Sequence, residues 1–302
     1  MGILKKIFSK RQKPPVDTFT YELNERARSR IIHSIVQLCG QVEHPSVLFE
    51  DVLRRCLREY GAVKTKVGHR PGDTTGGAVN HFFAGDDMDA VDFLEMLFQS
   101  PQYRLGQDGV SVVNEILREE GIGYEFSSYV VRDELIKEDG HGVTTHRVEI
   151  EYPEAIKKTN EQMHVDVIVP CMTLLSGAKW KIANQEMLEA HRAFREGRLD
   201  DANTACGRCF ETVLKTVCAE KRWRYDLEKD AVARLLDICR EKDLFPPFYV
   251  EIFKSTGTVR NKLGGHGKGP QPLYQNDEAF VAHLLHQTSA HIVLLAKLAG
   301  MQ

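Results

Sequence analysis

The chain has no uninterrupted run of eighteen apolar residues, so no transmembrane helix is expected. It has no G-x-S-x-G, H-E-x-x-H or G-x-G-x-x-G motif, which removes the commonest hydrolase, zinc-protease and dinucleotide-binding readings. A secretory signal is also missing. The opening MGILKKIFSKRQKPP is basic (Lys5, Lys6, Lys10, Arg11, Lys13) but holds only short apolar pieces. Gly2 invites acylation, yet the motif wants Ser or Thr where Lys6 stands. Residues 1–15 are therefore read as a basic arm closed by Pro14-Pro15. The seven cysteines are odd in number and irregular in spacing, which fits reduced thiols in a cytoplasm. Cys206 and Cys209 have redox or zinc spacing. No second pair sits at finger distance, and both fall on the apolar stripe of a helix, so they are read as core residues.

What remains is the composition of a globular protein, 42% apolar and 27% charged, with 302 residues to fill two domains. The net charge of −3 is unevenly spread. Residues 1–13 carry +5, residues 14–183 carry −9 and residues 184–302 carry +1. Within residues 245–275, Lys254, Arg260, Lys262 and Lys268 face Glu251 alone. An acidic chain thus has a local basic spot suited to phosphate.

Periodicity makes the fold mainly α. Asn24 to Cys39 places Ala27, Ile31, Ile35 and Leu38 on one face, and Pro45-Ser46 opens a helix to about Tyr60 with Leu48, Val52, Leu53 and Leu57 inward. Residues 61–85, including Thr74-Thr75-Gly76-Gly77, read as a glycine-rich connection. No Walker lysine follows them. Asp86-Asp87 caps a helix to Phe98, and another runs from about Asp108 to Glu120. Aromatic and β-branched residues then alternate over about 122–152, which predicts a small antiparallel ribbon. A long helix is expected from about Glu154 to Leu175. Beyond a joint at Ser176-Gly177, an antiparallel helical bundle is expected. Its helices are placed at about Asn184–Glu196, Asp200–Lys221, Leu227–Lys242, a stretch from after Pro246 to near Leu263, and Asp277–Leu298. The second carries an inward stripe of Ala202, Ala205, Cys206, Cys209, Phe210, Val213, Leu214 and Val217.

The histidines offer few partners. His141 and His146 fall in the ribbon, and His191, His283, His286 and His291 on helices. His283 and His286 are i, i+3, but no third ligand is placed beside them, so no metal and no cofactor are expected. The stretch TVRNKLGGHGKG, residues 258–269, is different. A helix C-terminus explains one glycine as a left-handed cap, and explains Arg260 and Lys262 near the negative helix end. It explains Gly265, Gly267 and Gly269 less well. Read functionally, Arg260 presents a planar fork of donors to phosphate oxygens. Gly264 and Gly265 turn the chain back, and Gly267 allows close backbone approach. His266 can then move a proton near neutral pH. Arg plus His is a minimal kit for phosphoryl chemistry without metal.

Arg260-Asn261 followed by His266-Gly267 resembles the R-x4–6-H motif of HEPN domains, and residues 184–302 resemble the C-terminal domain of abortive infection proteins. Residues 16–177 resemble the N-terminal domain of AbiJ-like proteins, through VNEILREEGIGYEF (Val113 to Phe126) and VDVIVPCMTLL (Val165 to Leu175). The resemblance implies a HEPN-like helical bundle that pairs with a second copy. It implies a metal-independent endoribonuclease acting in phage defence, cutting RNA (tRNA among the candidates) by 2′-hydroxyl attack to leave a 2′,3′-cyclic phosphate and a 5′-hydroxyl. Carried over, His266 is the acid/base, Arg260 stabilises the phosphate, and Asn261 orients the ribose or holds the loop. Lys262 and Lys268 are added here as RNA phosphate contacts. The same resemblance allows a cognate antitoxin or a phage trigger as partner. It also allows a catalytically silent HEPN-like module that dimerises or senses a nucleotide.

Overall fold

Asp86 shows how locally the helices of this chain are specified. Its carboxylate accepts the Asp89 N–H at 2.8 Å, and Asp89 accepts the Asp86 N–H at 3.2 Å, a reciprocal cap on the helix that follows. The computed structural model describes residues 19–39, 45–62, 76–100, 105–138, 144–263 and 277–301. The fold is mainly helical, with two small two-stranded sheets among the described residues. The chain divides into two compact units, one of residues 1–125 and 158–161, the other of residues 126–157 and 162–302.

The first unit is built from α1 (Glu25–Cys39), α2 (Pro45–Glu59), α3 (Gly76–Ala84), α4 (Asp87–Phe98) and α5 (Gly106–Glu119). Ala27, Ile31 and Ile35 of α1 and Leu48, Val52, Leu53 and Leu57 of α2 are buried as the spacing predicts. Leu38 is only half-buried, and Ile32 and Cys39 take core positions beside it. Helix α3 corrects the expectation of a connection over residues 61–85. Ala78 and Phe82 are fully buried, and the Phe82 ring lies 5.2 Å from that of Phe93. This packing outweighs the glycines at the helix start. Residues 63–75, which include Thr74 and Thr75, lie outside the described residues. The unit also holds a buried arginine. Arg28 donates to the carbonyls of Leu23, Phe82 and Gly85 and pairs with Asp87 at 2.9 Å, so its charge is fully met.

After a short strand β1 (Tyr124–Phe126), β2 (Val130–Glu138) pairs antiparallel with β3 (Thr144–Glu151), with Val131 opposite Ile150 and one irregularity between Leu135 and Lys137. The ribbon is expected from the sequence. The helix from Glu154 is not found. Residues Ala155–Lys157 form β4, and helix starts only at Glu161. That helix, α6, comprises Glu161–Met163, a π-helical segment His164–Ile168, and Val169–Leu175. The Val169 N–H reaches back to the His164 carbonyl, and Pro170 next in line has no N–H to donate.

By packing, the ribbon and most of α6 belong with the C-terminal helices. These are α7 (Lys181–Arg195), α8 (Leu199–Glu220), α9 (Val232–Glu241), α10 (Tyr249–Leu263) and α11 (Glu278–Leu298). Charged groups tie the strands along α7. Glu149 pairs with Lys181, Glu151 accepts from Asn184 at 2.6 Å, Glu154 pairs with Arg192 at 2.6 Å, and the Ala155 carbonyl accepts from Arg195 at 2.5 Å. Arg132 of β2 closes the row on Glu151 at 2.6 Å, deep in the unit. These contacts explain why residues 154–157 are extended. Rather than serving a helix of their own, the Glu154 carboxylate and the Ala155 carbonyl serve α7, and the Glu154 carbonyl accepts the Ser127 N–H at 2.9 Å.

The bundle core follows the predicted stripe. Ala202, Ala205, Cys206, Cys209, Phe210, Val213, Leu214 and Val217 of α8 are all fully buried. Helix α9 starts later than expected. Residues 226–230 instead form a turn in which Asp226 accepts the N–H groups of Glu228 and Lys229. All seven cysteines are unpaired and buried. Burial pushes the thiols of Cys171 and Cys206 up to about 12, so neither is a thiolate near neutrality. Helix α11 is long and apolar enough to cross a membrane by length and composition. Its Val281, Leu284, Leu285, Ile292 and Leu295 are buried in this core instead.

Candidate functional site

Two fixed points bracket the Arg-Asn-x4-His stretch. The first is α10. Its Phe253 is fully buried, with ring centroids 5.0 Å from Phe245, 5.7 Å from Tyr249, 6.2 Å from Phe210 and 5.0 Å from His291. Thr256, one turn further on, is also fully buried and shares a hydrogen bond of 3.0 Å with His291 Nδ1. On the neighbouring face, Gln287 Nε2 donates to Ser255 Oγ at 2.9 Å. Helix α10 is thereby locked to α11 just before its last turn. Arg260, Asn261 and Lys262 stand on that last turn, which ends at Leu263. The second fixed point is Asp277, whose carboxylate accepts the Ala279 N–H at 2.7 Å and starts α11. Glu278 in that first turn is tied to Lys157 of β4 at 2.7 Å.

Between these points, Gly264, Gly265, His266, Gly267 and Lys268 lie outside the described residues. The described backbone therefore puts Arg260, Asn261 and Lys262 on one helical turn, with the glycine-rich stretch directly after it.

His291 behind α10 is pushed down to about 4 by burial, so the ring bonded to Thr256 is neutral. Sequence reasoning missed this pair. The signal available was a threonine four residues before Arg260, but its partner lies on another helix. Among the described residues, no group of three or more His, Cys, Asp or Glu is placed to hold a metal ion. His191 is buried and pushed down to about 3, by burial first and then by His164 and His286. His286 is lowered by burial and by His283 and His164, while His283 is exposed. His141 lies outside the described residues, and His146 is placed on β3 opposite Leu135.

Residues 181–299 match the family model Abi_C, described as a HEPN-like domain. The C-terminal region is a HEPN-like helical domain of the abortive-infection type. The match runs from the first residue of α7 to the end of α11, and so contains Arg260 and His266. The search of curated proteins and the search of solved structures each gave no match. The match does not extend into residues 16–177.

Proposed function

We propose that this protein is a metal-independent endoribonuclease of the HEPN type that acts as an abortive-infection effector. The observation that carries the reading is the HEPN-like match over residues 181–299, within which Arg260 and His266 stand at R-x5-H spacing. The burial of Phe253 and Thr256 supports it, because a phosphate-holding arginine needs a rigid base.

In this reading the chemistry is a transesterification. His266 takes the proton of an RNA 2′-hydroxyl. The 2′-oxygen bonds to the adjacent phosphorus, and the bond from phosphorus to the 5′-oxygen breaks. The departing 5′-oxygen takes a proton from the protonated His266 of a second copy, in the homodimer that this reading includes. Arg260 balances the charge that gathers on the phosphoryl oxygens. Asn261 orients the ribose or holds the loop, and Lys262 and Lys268 hold flanking phosphates. The products are a 2′,3′-cyclic phosphate and a 5′-hydroxyl, and no water is consumed.

Expression of the full chain in a bacterial host tests the reading. Growth should stop, and new RNA fragments with 5′-hydroxyl ends should appear before cell death. Arrested growth with intact RNA would contradict an RNase effector and favour an interaction module.

A further inference from the structure

The C-terminal end of α8 breaks a habit of this chain. At the ends of α5, α7 and α11 the residue in the left-handed conformation is a glycine (Gly121, Gly197 and Gly300). After α8 it is Arg222, at φ 57°. The hydrogen bonds are those of an ordinary helix end, with the Arg222 N–H to the Ala219 carbonyl at 2.9 Å and the Trp223 N–H to the Cys218 carbonyl at 2.8 Å. Glycine would satisfy them without strain. The other non-glycine exception among the described residues, Asp243 after α9, has a short polar side chain that tolerates this region. An arginine has no such compensation, so its side chain calls for another explanation.

The neighbours of Arg222 suggest one. Residues 221–225 read Lys-Arg-Trp-Arg-Tyr. Lys221, Arg222 and Arg224 are exposed, and none has an ion-pair partner among the described residues. Elsewhere in the same unit Arg132, Arg192, Arg198, Arg208, Arg234 and Arg240 are paired with carboxylates. Trp223 and Tyr225 alternate with the cations. Each packs one side on the bundle core and stays partly exposed, with no ring stacked on it among the described residues. The nearby acids do not neutralise the cluster. The carboxylates of Asp226 and Asp230 accept backbone N–H groups of the following turn. The helix dipole accounts for a cation in the last turn, but it does not account for Arg224 beyond it or for the strain at Arg222.

We infer that Lys221, Arg222, Trp223, Arg224 and Tyr225 form a second RNA-contacting surface, which holds single-stranded RNA by its phosphates and stacks bases on the two aromatic rings. Alternating cations and rings are what sequence-tolerant single-strand binding requires. The surface is separate from the candidate cleavage site. Helix α8 runs with α11, since Cys206 bonds Thr288 and Phe210 meets His291, whereas α10 runs against α11, since Phe253 meets His291 and Ser255 accepts from Gln287. Arg260, towards the end of α10, and residues 221–225, after the end of α8, therefore lie towards opposite ends of the bundle. The inference rests on the RNase reading. In it, these residues recruit substrate and do no chemistry.

The test uses the full chain carrying His266→Ala, so that RNA stays intact, and a fluorescein-labelled single-stranded oligoribonucleotide followed by anisotropy. Arg222→Gly should weaken binding roughly tenfold and reduce the salt slope by about one. The same change should raise Tm by ~2–4 °C, because it relieves the left-handed strain. That opposite movement of affinity and stability is what a merely structural Arg222 would not give. The second readout is tryptophan emission. Trp180 is buried and Trp223 is the only other tryptophan, so RNA should quench the emission and Trp223→Phe should remove the quench. A raised Tm with unchanged affinity and salt slope would overturn the surface while leaving wild-type cleavage, and the RNase reading, intact. A chain that neither binds nor cleaves RNA would overturn both.

Discussion

At pH 4 the C-terminal unit should unfold far more readily than at pH 7.5, with a loss of several kcal/mol that begins as pH falls through about 6.5. The cause is the pair His191 and His291, held neutral inside the bundle. Burial pushes His191 down to about 3, helped by His164 and His286, and pushes His291 down to about 4. Both ring nitrogens of His191 are buried without a hydrogen-bond partner among the described residues, so a proton gained there would find no acceptor. In the unfolded chain both rings titrate near 6.5. Between that value and the folded ones the unfolded state binds more protons than the folded state. Stability is therefore full above about 6.5 and declines as the pH falls towards the folded values. Each ring contributes roughly 3 kcal/mol of the loss at pH 4, to order of magnitude. Urea titrations at pH 7.5, 5.5 and 4 measure it directly. His191→Leu should flatten the profile, and a flat profile in the wild type would mean that water or a rearrangement satisfies these rings.

His266→Ala should reduce RNA cleavage by about 10²–10⁴-fold while shifting stability by no more than about 0.5 kcal/mol. The loss in rate follows from removing the group proposed to carry the proton near neutral pH. The small change in stability follows from the sequence context, since His266 stands between Gly265 and Gly267 rather than on an apolar stripe. The anchor of the site lies elsewhere, in Phe253, Thr256 and His291, whose contacts the substitution leaves alone. Single-turnover cleavage and a urea titration on the same preparation separate the two effects. A variant that cleaves as fast as wild type would remove His266 from the mechanism, and one that fails to fold would make it structural.

How far the sequence could be read varies by element, for physical reasons. The stripe on α8 was legible because eight small or apolar side chains recur at helical spacing, and each is buried. The starts of α2, α4 and α11 were legible because Pro45, Asp86 and Asp277 are strong local signals. Helix α3 was hidden by its glycines, since what stabilises it is the contact of Phe82 with Phe93 on another helix. Strand β4 was hidden for a similar reason, because Arg192 and Arg195 of α7 hold residues 154 and 155 extended. At the candidate site, the spacing of Arg260 and His266 could be read from the chain. The Thr256–His291 bond could not, because it joins residues on two helices whose alignment no local pattern states. The strain at Arg222 was likewise invisible, as only backbone geometry reveals it.

The central claim is that this chain cuts RNA through Arg260 and His266 with no metal. The most direct measurement is to incubate the purified wild-type protein with tRNA and total RNA in EDTA and identify the ends of the fragments. The account predicts cleavage undiminished by the chelator, with 2′,3′-cyclic phosphate and 5′-hydroxyl ends. Cleavage that appears only when magnesium is added, or that leaves 5′-phosphate ends, would contradict it.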